Sequence, residues 1–203
     1  MSITLIIIII TSIVSFIAFN YRKLFTKYQF NAYAIVNKKE YWRLITHAFL
    51  HANWIHLLIN MIVLFSFGIM VEYYFVGYFG IIKGKLIFGL LYLTSILFSV
   101  MYSLQKHKND IFYNAVGASG AVSAIVFTSI FFEPWNMIYL FGFIPIPAII
   151  FGILYLFYSY KMSKQENSDF IAHDVHFWGA VYGFVFPILI NYKFIFIFLS
   201  KLL

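Results

Sequence analysis

Residues 55–76 read IHLLINMIVLFSFGIMVEYYFV. The run is longer than the roughly 20 residues a helix needs to cross a bilayer. It contains no basic residue and a single acidic one, Glu72. His56, Asn60 and Glu72 are nevertheless costly in hydrocarbon, and such side chains normally face other helices or a polar cavity. A helix that is apolar enough for lipid, yet has an imidazole and a carboxamide to hide, implies neighbours. The stretch therefore reads as one span of a polytopic helical membrane protein.

Working outward, apolar stretches recur at 3–19, 86–104, 115–132, 146–160 and 175–190, which with 55–76 makes six expected spans. The remainder is connection: 80–85, 105–114, 133–145 and 161–174 are short, while 20–54 mixes six Lys and Arg residues with Tyr, Phe and Trp and should lie partly in the interface. The fold class is all-α, one membrane domain over residues 1–203. Composition agrees: 63% of residues are hydrophobic, 23% aromatic and 10% charged, which excludes a water-soluble domain. The absence of cysteine excludes disulfides, a thiolate nucleophile and cysteine-ligated metals. An excess of 14 Lys and Arg over 7 Asp and Glu is scattered through the connections, which fits anionic lipid head groups and not a nucleic-acid groove. The first stretch has neither a preceding basic residue nor a small-residue cleavage site after it, so it is expected to be a retained helix. Ten of the basic residues fall in odd-numbered connections, and charge alone would put the first connection in the cytoplasm.

Three polar constellations stand out. Gly117-Ala118-Ser119-Gly120 opens the fourth stretch. A hydroxyl at a helix N-terminus sits beside unpaired N–H groups and a dipole favourable to an oxyanion, although small residues also serve simply to pack helices. The sixth stretch begins His173-Asp174-Val175-His176 and continues to Gly179 and Gly183. Those glycines are four apart on one helical face, His176 lies three before Gly179 on the same face, and a partner helix can approach there. If the partner is the fourth span, His176 can take the Ser119 proton; otherwise it is a histidine satisfied by a carbonyl. His56 and Asn60 also share a face and can both donate hydrogen bonds, either to an oxyanion or as interhelical glue. Metal binding is the weaker reading. His47/His51 and His173/His176 have helical ligand spacing, but there is no His-Glu-x-x-His, and neither Glu72 nor Glu133 has a histidine at ligand spacing. His47 and His51 are expected to brace the first connection internally.

Trp42-Arg43, Thr46-His47-Ala48-Phe49-Leu50-His51, His56 with Asn60, Gly117-x-Ser119-Gly120 and His176-x-x-Gly179-x-x-x-Gly183, in this order over residues 41–192, resemble the rhomboid family of intramembrane serine proteases. The resemblance implies a six-helix bundle whose catalytic core is residues 41–192. Ser119 would be nucleophile and His176 base and acid, with His56, Asn60 and the Ser119 N–H as oxyanion hole and Gly117, Gly120, Gly179 and Gly183 packing the site. It implies peptide-bond hydrolysis in or beside substrate transmembrane helices, no metal or other cofactor, and a cytoplasmic amino terminus, against the charge count. The expected partners are transmembrane protein substrates and the lipid bilayer, and the expected location is the inner membrane of a bacterial cell. Two departures are visible. Ser123 stands where many relatives carry an aromatic residue, and His173 offers a second imidazole one turn before His176. Alternative functions are a proteolytically silent rhomboid-fold escort protein and a histidine-metal membrane oxidoreductase.

Overall fold

A computed structural model describes residues 1–140, 142–165 and 172–203. Part of the expected connection 161–174 and one residue of 133–145 lie outside these described residues. Helix α1 (Ile3–Asn20) is followed by three short helices, α2 (Arg22–Tyr28), α3 (Ala32–Lys38) and α4 (Arg43–Thr46), and a single 3-10 turn at His47–Phe49. Then come α5 (Trp54–Phe79), α6 (Ile81–Lys106), α7 (Ser119–Phe132), a hairpin of β1 (Met137–Leu140) and β2 (Ile144–Pro147), α8 (Ala148–Ser163), α9 (His173–Ile190) and α10 (Phe194–Leu202). Helices α1, α5 and α6 are each long and apolar enough to cross a membrane, and α9 with α10 makes a fourth candidate, bent by 120° at the break. Helices α7 and α8 are shorter apolar helices. The chain is thus a multi-pass, helical membrane protein.

Two expectations shift. The connection 133–145 folds with the start of the fifth stretch into the antiparallel hairpin, in which Ile138 pairs with Ile146 and Tyr139 with Pro145. The fourth stretch does not begin as helix. Ala115 instead exchanges backbone hydrogen bonds with Phe30, and α7 starts only at Ser119.

Helix α7 forms the centre. Every residue from Gly120 to Phe132 is buried, as expected of a helix that is apolar all round. Glycines let its neighbours in. A Cβ on Gly179 would overlap the Gly120 carbonyl and lie 3.1 Å from its Cα, and one on Gly183 would overlap the Ala124 carbonyl, so α9 and α7 meet backbone to backbone. Thr128 of α7 also donates to the Gly183 carbonyl at 2.7 Å.

Helix α1 is tied in by polar contacts, for its buried residues are Thr4, Thr11, Ser15 and Ala18. The α5 carboxylate Glu72 accepts from the Ser2 and Thr4 hydroxyls and from the N–H groups of Ile3 and Thr4, closing the open end of α1. At the far end of α7, Lys201 of α10 donates to the Phe132 carbonyl at 2.8 Å and pairs with Glu133, which also accepts from Tyr74 of α5. A cation on the last carbonyls of a helix suits its dipole.

Candidate active site

The α9–α7 contact sets His176 against the start of α7. Its Nε2 lies 2.7 Å from Ser119 Oγ, within hydrogen-bond reach. His173, one turn earlier, is buried too, but its ring centroid is 6.1 Å from that of His176. Asp174 accepts from Ser103 of α6 at 2.6 Å and from the Val175 N–H.

The turn into α7 is shaped by Gly117, whose φ of +122° is poorly tolerated by a residue with a Cβ. The position its Cβ would occupy is 2.7 Å from His56 Cε1, 2.9 Å from His56 Nε2 and 3.7 Å from Ser119 Oγ. A side chain there would fill the gap between His56 and the serine. Because α7 begins at Ser119, the N–H groups of Ser119, Gly120 and Ala121 have no carbonyl four residues back within the helix. Gly120 is required for a different reason: a Cβ would strike Ser99 of α6 and come within 2.8 Å of Val175.

Asn60 is buried and donates from Nδ2 to the His56 carbonyl at 2.8 Å, which leaves its second amide hydrogen uncommitted to that bond. His56 itself sits in the first turn of α5, which Asn53 caps by accepting the His56 N–H at 2.8 Å. Ser123 lies one turn beyond Ser119 and shares a 2.7 Å hydrogen bond with the hydroxyl of Tyr155 on α8. The Tyr155 ring itself packs against Phe127 and Phe151. Nothing in the sequence pattern marks Tyr155 for this contact.

The first connection also reaches the site. His47 Nδ1 meets the Arg43 carbonyl at 2.9 Å, an internal brace as expected, and the His47 carbonyl accepts the Gly117 N–H at 3.0 Å. His51 departs from the expectation. It leaves its own connection to meet Ser15 of α1 at 2.9 Å and to accept the Ala118 N–H in a long bond of 3.5 Å. Burial holds His47 down to about 4 and, with help from the neighbouring His56, His51 down to about 3, against an ordinary 6.5. Both are neutral in the fold. The unfolded chain binds their protons first as pH falls, so the stability they allow is complete above 6.5 and is lost as pH drops towards 4 and then 3. The apparent melting temperature of the detergent-solubilised protein should accordingly fall by several degrees between pH 7.5 and 5; a flat profile would contradict the buried, neutral placement. Among the described residues, no group of three or more His, Cys, Asp or Glu side chains is arranged to hold a metal ion.

Two comparisons bear on this arrangement. The family model described as "Rhomboid domain" matches residues 38–193. RHOMBOID-like protein 12, mitochondrial, of Arabidopsis thaliana is 33% identical in a match 152 residues long that covers 68% of this chain and 43% of that protein. The chain thus spans less than half the length of that curated relative.

Proposed function

The chain belongs to the rhomboid family, and from that premise we propose that it is an intramembrane serine endopeptidase working by a Ser119–His176 dyad. The observation that carries the reading is the 2.7 Å contact between His176 Nε2 and Ser119 Oγ at the first residue of a buried helix. As the serine oxygen attacks a peptide carbonyl, Nε2 takes its proton and then returns it to the departing amine, leaving an acyl-enzyme that water hydrolyses by the same path. The negative charge that builds on the carbonyl oxygen is met by the open N–H of Ser119 and the α7 dipole, with His56 and the second amide hydrogen of Asn60 as side-chain donors. Gly117 keeps the space for that oxygen clear.

Helix length gives the chemistry its depth. Fourteen residues of α7 extend about 21 Å against a hydrocarbon core of about 30 Å. With the Glu133–Lys201 end near one surface, the serine lies below the other, and α7 and α8 count as short spans that complete six. Such a helix survives because it faces protein, not lipid, and polar groups at that depth line a cavity that admits water. The Ser119 end faces the extracytoplasmic side in this reading. Substrates are transmembrane helices that unwind readily, since an intact helix keeps its scissile carbonyl in its own hydrogen bonds; glycine near the cut favours this.

A fluorophosphonate probe tests the reading on purified protein. One covalent adduct, located on Ser119 by peptide mass spectrometry, is expected. No adduct, or an adduct on another serine, would refute it.

A further inference from the structure

The Ser15 hydroxyl of α1 is completely buried and makes two contacts, 2.8 Å to the Phe49 carbonyl and 2.9 Å to His51 Nδ1. Counting protons settles what each contact is. A carbonyl cannot donate, so the one hydroxyl hydrogen of Ser15 goes to Phe49, and the His51 contact must run from Nδ1–H to the serine oxygen. A neutral imidazole with its hydrogen on Nδ1 has a lone pair on Nε2. That lone pair faces the Ala118 N–H, 3.5 Å away. Ala118 immediately precedes Ser119, and the preceding Gly117 N–H is held by the His47 carbonyl at 3.0 Å. The peptides leading into α7 are therefore held from outside the helix, and the N–H that they leave over for a developing oxyanion is that of Ser119.

We propose that Ser15 is a positioning residue for the catalytic centre: it fixes the tautomer of His51, and His51 in that tautomer orients the Ala118 peptide and the turn that presents Ser119. The first helix thereby takes part in the site although none of its residues touches the dyad. With the hydroxyl gone, Nδ1–H has no acceptor there, the tautomer with hydrogen on Nε2 gains, and two N–H groups oppose each other at Ala118. This rests on the protease reading above only for its activity readout.

The experiment uses full-length protein in liposomes, with Ser15→Ala, Ser15→Thr, His51→Gln and the double variant Ser15→Ala/His51→Gln. Glutamine can set an amide oxygen where Nε2 sits, so it accepts from Ala118 without needing Ser15. Expected for Ser15→Ala is a loss of about tenfold in kcat, the scale of one hydrogen bond, with KM unchanged. Threonine should restore most of that loss, and alanine at position 15 should add little in the His51→Gln background. Imidazole 15N chemical shifts should show His51 protonated on Nδ1 in the wild type and shifted towards Nε2 in Ser15→Ala. A merely structural serine would lower the melting temperature and move neither kcat of the folded protein nor the tautomer. The proposal fails if Ser15→Ala leaves both unchanged, or if its loss and that of His51→Gln simply multiply. An inactive wild type would count against the protease reading, while the tautomer measurement would still decide the role of Ser15.

Discussion

Ser119→Ala and His176→Ala will each lower turnover of a transmembrane substrate by about a thousandfold or more, and the double variant will lose little beyond either single one. In the proposed mechanism the two side chains act as one device: without Nε2 the serine oxygen keeps its proton, and without the oxygen the imidazole has nothing to activate. What survives is the smaller contribution of the oxyanion donors, which both variants retain. His173→Ala is the informative companion. Its ring lies edge-on to that of His176 with centroids 6.1 Å apart, while the Ser119 hydroxyl is bonded to His176, so His173→Ala should keep most of the activity. Substrate cleavage followed by gel shift measures all four proteins. If His173→Ala abolished cleavage while His176→Ala retained it, the base would be misassigned.

The second large effect is steric. Gly179→Ala and Gly183→Ala each place a methyl group on a backbone carbonyl of α7, those of Gly120 and Ala124 respectively. Backbone cannot swing aside as a side-chain tip can, so α9 must move outward, carrying His176 away from Ser119. Overpacking of this kind costs about 1–3 kcal/mol of stability, and a displacement of about 1 Å at a reacting pair costs about a hundredfold in rate. Both variants should therefore lose melting temperature and, in the fraction that remains folded, about two orders of magnitude in kcat. Gly89→Ala makes the control, because a Cβ there meets nothing within 4 Å, and its melting temperature should hold or rise. Equal activity of Gly183→Ala and wild type would show that the α7–α9 spacing is not what sets the dyad.

Apolar length located α1, α5 and α6 with ends within five residues, because hydrocarbon thickness is a hard constraint. The start of α7 was less legible. Residues 115–118 are as apolar as the helix beyond them, but Phe30 supplies a strand-like partner to Ala115, and composition does not record which backbone partner is at hand. The hairpin that includes Ile138 and Ile146 escaped for the same reason. At the site, glycine spacing on α9 singled out the imidazole that lies beside Ser119, since close approach needs a bare face and a bare face leaves a pattern. The reach of His51 left none in its own neighbourhood. Its partners, Ser15 and Ala118, are far away in the chain, and spacing within 47–51 carries no trace of either. Tyr155, likewise, is one tyrosine among many on apolar helices.

Glu72 has a consequence for the order of assembly. Its carboxylate is satisfied entirely by the first residues of α1, through two hydroxyls and two N–H groups. Synthesis from the amino terminus delivers α1 to the bilayer before α5, so the acceptor-hungry end of the earlier helix waits for the later one, and the later helix can shed the water around its acid only on meeting it. The two helices are thus bound as partners, their vertical registry set by one carboxylate.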